Sequence, residues 1–212
     1  MSIKINLNIF FFLLIFIVTH QIEIYSLIML FALIHELGHL ICGILLGFTA
    51  KSFKIMPLGF SIEFKTNVEE YNRKIFKSNS LCFKKLLISL AGPITNIIII
   101  IIGTILGVND NIIYANLILV IFNLIPIYPL DGGRILKNIL KLFLGNQNAY
   151  YFSNKISNTF VIAVTILGSI SIYYYKNIGI LLAVLFVWYL NISENKRYKF
   201  YERIYNICNK KE

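Results

Sequence analysis

Apolar residues gather along this chain in six blocks, Ile5–Thr19, Ile24–Phe48, Leu86–Val108, Ile112–Pro129, Ile156–Tyr175 and Ile178–Ile192, with charged residues collected between them. A bilayer core about 30 Å thick asks for roughly 20 apolar residues per helix, so the middle blocks meet the length and the first and last fall short of it. The pattern predicts an all-α polytopic membrane protein with six transmembrane helices. The first block follows Lys4 as a signal peptide would, but Val18-Thr19-His20-Gln21 is no small-x-small cleavage site, and retention is expected. After the second block the period changes to two. Ser52-Phe53-Lys54-Ile55-Met56 and Phe60-Ser61-Ile62-Glu63-Phe64-Lys65 alternate about Pro57-Leu58-Gly59, which predicts a small β-hairpin at the membrane surface.

Composition agrees with the blocks. Hydrophobic residues make up 58%, charged residues 14%, and mean hydropathy is +0.74, far from a soluble average. No repeat of solenoid period and no low-complexity linker divides the chain. One membrane domain over residues 1–192 is expected, followed by a short basic tail over 193–212.

Charge orients the blocks. With a cytosolic amino terminus, every one of the 20 Lys and Arg residues except Lys176 falls on the cytosolic side, as the positive-inside bias requires. Both termini are then cytosolic, and the net charge of +10 reads as a topology signal that makes anionic lipids the expected neighbours. The basic residues follow membrane boundaries and no nucleic-acid motif is present, so no nucleic-acid partner is expected. The tail Lys196–Tyr205 mixes cations with aromatics and reads as an interfacial helix. Cys42, Cys82 and Cys208 show no Cys-x-x-Cys spacing. Cys42 falls three residues after His39 and could approach a metal there, although a packing role suits it better.

One stretch violates the apolar pattern: Ile34-His35-Glu36-Leu37-Gly38-His39-Leu40 puts three ionisable residues inside the second block. On a helix His35 and His39 stand one turn apart on one face and can share a metal ion, with Glu36 beside them. Two neutral nitrogens, an open coordination position for water and a carboxylate that takes the water's proton are what a zinc hydrolase needs. The bland alternative is two core histidines with ordinary hydrogen bonds, and ionisable residues at membrane depth argue against it. A third ligand has to come from elsewhere. Asp110 lies in the turn Val108-Asn109-Asp110-Asn111, where solvation explains it. Asp131 follows Asn123-Leu124-Ile125-Pro126-Ile127-Tyr128-Pro129-Leu130 and precedes Gly132-Gly133-Arg134, residues that would break a helix just inside the cytosolic boundary. Blocks two and four run in the same direction, so His35, His39 and Asp131 can share one side of the bilayer.

At these residues the chain resembles the site-2 protease family of intramembrane zinc metalloproteases. The first family motif is similar to His35-Glu36-Leu37-Gly38-His39, a second to Ala91-Gly92-Pro93-Ile94-Thr95-Asn96, and a third to Asn123, Pro126, Asp131 and Gly132. The resemblance implies one Zn²⁺ ion held by His35, His39 and Asp131, with Glu36 activating the water that attacks a peptide carbonyl. It further implies that Asn96 and Asn123 place or polarise the substrate backbone, a task that suits an uncharged amide that donates and accepts. For Asn96 the alternative is helix–helix hydrogen bonding, and Gly92-Pro93 and Gly132-Gly133 read as backbone devices. A helical substrate must unwind to expose its peptide bonds, so the free edge of the hairpin, around Phe60 and Ile62, is expected to receive it by strand addition.

Size points to the compact six-span group of that family, without room for PDZ modules. The group's resemblance implies a role in endospore formation, releasing the pro-sequence of a sigma-K type factor from the membrane around the forespore. A CBS domain is common there, and the residues after Ile192 are too few for one. Expected partners are a membrane-associated protein substrate and membrane inhibitor proteins, with an anti-sigma factor as an alternative substrate. Other zinc-peptidase clans fit less well, since Glu194 and Glu202 lie in the basic tail and no third histidine follows His39 closely. A zinc transporter would string ligands across the bilayer, and these cluster near one side.

Overall fold

The computed structural model of the protein describes residues 2–5, 7–56, 59–65, 75–176 and 178–209. The elements are β1 (Ser2–Ile5), α1 (Asn8–Val18), α2 (Ile22–Leu45), β2 (Ala50–Met56), β3 (Gly59–Phe64), α3 (Ile75–Leu106), α4 (Asp110–Leu124), α5 (Asp131–Tyr175) and α6 (Ile178–Asn209). They divide into two compact units, Met1–Leu124 and Ile125–Glu212.

Among the described residues, four stretches are long and apolar enough to cross a membrane: Ile22–Leu45, Asn79–Leu106, Asn148–Tyr174 and Ile178–Arg203. The other two expected spans come out short. The first block gives a helix of 11 residues, Asn8–Val18, about 16 Å at the helical rise, and its first residue, Ile5, belongs to a strand. The fourth gives 15 residues, about 22 Å, because the helix stops at Leu124 before Pro126 and Pro129. In the long helices the usual burial pattern is inverted. Leu37, Ile41, Ile44, Ile94, Ile98, Ile101 and Ile105 face outward, while His35, Glu36, His39, Ser89 and Asn96 are buried. Outward apolar side chains and inward polar ones suit a lipid solvent.

In the first unit α2 packs against α3, α4 and β3. Phe31 and Ala32 of α2 meet Ala115 and Leu119 of α4, with Ile99 and Phe60 against the same cluster. Small residues set the close approaches. A side chain at Gly38 would meet Thr95 Oγ1 of α3 at 2.3 Å, and one at Gly43 would meet the Phe64 ring of β3 at 2.3 Å.

The expected hairpin forms from β2 and β3, antiparallel, with Phe53 opposite Ile62 and Met56 opposite Gly59; Pro57 and Leu58 lie outside the described residues. Ser52 donates to Glu63 Oε2 at 2.9 Å, and Lys54 pairs with Oε1 of the same carboxylate. These two bonds, Lys54 first, hold the Glu63 carboxyl below its usual range. The sheet gains a strand that the hydropathy pattern concealed: β1 pairs parallel to β2, Ser2 opposite Ser52 and Ile5 opposite Ile55. In the order β1-β2-β3 the outer side of β3 is an open edge among the described residues.

The second unit opens with irregular backbone over Ile125–Leu130, as the prolines require, and Asp131 then starts α5. Gly145, at φ 77° and ψ 173°, breaks α5 into two helices, a conformation that glycine alone adopts without cost. The second half of α5 packs on α6. Val184 occupies the space a side chain at Gly168 would need, Trp188 Nε1 donates to Thr165 Oγ1 at 2.9 Å, and Asn191 and Asn195 both donate to Asn158 Oδ1 at 2.9 and 3.0 Å. The basic tail is the continuation of α6, one helix through Asn209.

Candidate metal centre

His35 and His39 stand one turn apart on α2 with 3% and 2% of their surface exposed. Their Nε2 atoms are 3.2 Å apart and the rings are nearly perpendicular, at 85°. His39 Nδ1 lies 2.6 Å from the carbonyl oxygen of Ile88 on α3 and 3.3 Å from the Gly92 nitrogen. Only one of these contacts can be a hydrogen bond of Nδ1. The shorter one requires Nδ1–H to donate to Ile88, and the Gly92 N–H is then no donor to that nitrogen. With its proton on Nδ1, His39 presents a bare lone pair at Nε2. A carbonyl behind the imidazole is the usual support of a metal-ligating histidine.

Two nitrogens about 2.0–2.1 Å from one tetrahedral zinc ion stand about 3.3 Å apart, so the observed 3.2 Å fits a shared ion. The space around the two nitrogens is kept open by α3. A side chain on Gly92 would reach 2.4 Å from His39 Nε2 and 2.5 Å from His35 Nε2. The glycine read from sequence as a backbone device thus clears the ligand positions. Glu36, adjacent to His35 on α2, is 9% exposed.

Asn96 follows Gly92 by one turn and is fully buried. Neither Nδ2 nor Oδ1 has a hydrogen-bond partner among the described residues, so the helix–helix bonding alternative finds no support. Asn123 sits half-buried in the last turn of α4. On β3, Phe60 stacks on Phe53 with ring centroids 5.5 Å apart, and Ile62 is 6% exposed. Their side chains support the sheet, and the open edge is backbone. Asp110 is exposed at the start of α4, as a solvated turn requires. Cys42 is a half-buried free thiol.

In the second unit Asp131 is the first residue of α5 and 5% exposed. Helix N-termini favour carboxylates, and Arg134 Nη1 lies 3.7 Å from Oδ1. The backbone before it is tightly folded. A side chain on Gly133 would strike Tyr128 N at 2.4 Å and the Ile127 carbonyl carbon at 2.5 Å. Sequence reasoning singled out the six ionisable or amide residues of the motifs, His35, Glu36, His39, Asn96, Asn123 and Asp131. It missed Ile88, whose contribution is a main-chain carbonyl that no residue type announces.

A model of peptidase family M50 matches residues 24–111 and 108–168. The zinc metalloprotease of Methanocaldococcus jannaschii is 28% identical over 177 residues, 78% of this chain and 47% of that protein. Stage IV sporulation protein FB of Bacillus subtilis is 28% identical over 141 residues, 63% of this chain and 46% of that protein. The chain spans less than half the length of these curated relatives. The solved site-2 protease of M. jannaschii shares the fold, with a TM-score of 0.67 at 24% identity over 91% of this chain and 89% of that one. With the family's pattern matched through the helix of His35 and His39 and through the segment of Asp131, the chain belongs to peptidase family M50, the site-2 proteases.

Proposed function

We propose that the protein is a zinc-dependent intramembrane endopeptidase in which His35, His39 and Asp131 hold one Zn²⁺ ion and Glu36 is the general base. The observation that carries the reading is the pair of Nε2 atoms 3.2 Å apart, with the His39 tautomer set by Ile88 and the space cleared at Gly92. A buried aspartate at a helix start supplies the anionic oxygen that a His₂Asp site needs. Bound zinc supplies a Lewis acid that polarises a carbonyl and acidifies water. The chain's own residues do the remainder. Glu36 accepts the proton of the attacking water at its carboxylate and returns it to the departing amine. The Asn96 amide, buried and without a partner among the described residues, offers both a donor and an acceptor to a substrate peptide group, and Asn123 acts beside it. The edge of β3 pairs with the substrate once its helix has opened.

The protein sits in a bacterial cell membrane in a six-span plan, α1 and α4 serving as the shorter crossings and both termini cytosolic, with anionic lipids around the basic residues. Its substrate is a membrane-associated protein cut near the cytosolic face. The sporulation relative supports a sigma-K type pro-protein, and an anti-sigma factor is the second choice. Membrane proteins that inhibit the enzyme are further expected partners.

Purified wild type and Glu36→Gln proteins, assayed for zinc and for cleavage of candidate tethered sigma and anti-sigma factors in vesicles, test the reading. Both should hold one zinc per chain and only the wild type should cleave. Equal cleavage by both would overturn the assignment of Glu36, and zinc without cleavage in either would favour a non-proteolytic zinc protein.

A further inference from the structure

The segment that delivers Asp131 has no helix or strand to hold it, yet Ile127 is fully enclosed, Leu130 is 9% exposed and the residues between and before them are half-buried. Part of its backbone is satisfied internally. Ile127 N–H donates to Ile125 at 2.7 Å, Leu130 N–H to Ile127 at 2.9 Å, and Arg134 N–H to Leu130 at 3.0 Å. The Tyr128 N–H and the Pro126 carbonyl take a different partner. Both meet one hydroxyl, Ser157 Oγ, which accepts from Tyr128 at 3.4 Å and donates to Pro126 at 3.2 Å.

Ser157 lies on the second half of α5, beyond the break at Gly145, and is 3% exposed. A hydroxyl is the smallest side-chain group that donates and accepts at once. The Tyr128 ring is gripped as well, with Lys137 Nζ 4.3 Å and Arg197 Cζ 5.9 Å from its centroid. Because the Ile127–Tyr128 peptide rests directly on Gly133, a force on that peptide is passed to the first turn of α5, where Asp131 sits.

We propose that Ser157 is a positioning residue for the metal centre: by tying Pro126 and Tyr128 to the long second half of α5, it fixes the direction of the Asp131 carboxylate. This rests on Asp131 being a ligand, and the test separates the two ideas. A group that orients a ligand typically alters metal affinity by about 10–100-fold when removed. Ser157→Ala deletes the hydroxyl, and Ser157→Thr keeps it.

The full chain in detergent, loaded with Co²⁺, reports on ligand geometry through its visible absorption and on affinity through titration. Ser157→Ala should lower Co²⁺ affinity by about tenfold or more and shift the absorption bands, while Ser157→Thr stays close to wild type. Asp131→Ala serves as the reference. If Asp131→Ala leaves spectrum and affinity unchanged, Asp131 is no ligand and the metal reading itself falls. If Asp131→Ala changes both but the two Ser157 variants behave alike, whether native or impaired, the hydroxyl does not position the carboxylate and this inference is overturned.

Discussion

The α-carbon of Gly92 faces His39 so closely that a single methyl group there would lie 2.4 Å from its Nε2 atom. In an isolated helix Gly92→Ala would gain about 1 kcal/mol from propensity. Here it should keep the helix and empty the metal site. Zinc content should fall to near zero while the circular dichroism of the protein remains that of the wild type. One tightly held zinc per chain in Gly92→Ala would show that the two nitrogens do not bind where the glycine clears space.

Asn96 invites a substitution that splits stability from function. Its amide is enclosed with no partner for either polar atom among the described residues, and a buried polar group of that kind costs about 1–3 kcal/mol. Asn96→Leu should therefore leave the melting temperature unchanged or higher, and should reduce substrate cleavage by ~100-fold, the loss typical of one removed oxyanion-stabilising donor. A destabilised protein with undiminished cleavage would return Asn96 to a structural role.

Where the hairpin docks on α2, Gly43 leaves room for the Phe64 ring. Gly43→Val should overfill that contact at a cost of about 1–3 kcal/mol. Hydrogen exchange over β2 and β3 should accelerate, with α5 and α6 unaffected. Unaltered protection of the strands would mean that α2 does not anchor the sheet.

Lys137 supplies a pH signature. Burial pushes its amine down from the ordinary 10.5 to about 8, partly opposed by Glu194, whose carboxylate is 3.7 Å away. Between those two values the unfolded chain binds the extra proton and the folded one does not, so this group makes stability rise with pH from about 8 to 10.5. Thermal melts of wild type against Lys137→Gln across that window should show the rise in the wild type alone. A parallel pH slope in the two proteins would remove Lys137 as its source.

Much of the site could be read from residue types because its chemistry is carried by side chains that lipid excludes. His35, Glu36, His39 and Asn96 stand out from apolar neighbours, and the break before Asp131 is written in Pro126 and Pro129, whereas Gly132 and Gly133, which the sequence also suggested as breakers, lie within the first turn of α5. The hairpin was legible because its period of two interrupts a helical pattern. Other features left no such mark. Ser2–Ile5 alternate over only four residues and merge with an apolar block, so their pairing depends on a partner fifty residues away. Gly145 breaks α5 through a backbone angle, and nothing in Leu-Gly-Asn distinguishes it from a tolerated helical glycine. The tail looked like a separate element because its charges end the apolar run, although helix formation is indifferent to that change and α6 continues. Ser157 is one of many serines until the carbonyl and amide it serves are folded against it.

The parallel pairing of β1 with β2 carries a consequence for insertion. Residues Ser2–Ile5 and Ser52–Ile55 are hydrogen-bonded neighbours, with the whole of α1 and α2 looped out between them. A segment that leaves and comes back to pair beside its own beginning has even parity, so in a membrane the two strands would share one face however α1 tilts or stops short. The register sets Lys4 opposite Lys54 along the paired backbones. Turning α2 over alone would therefore require the pairing of β1 with β2 to be undone.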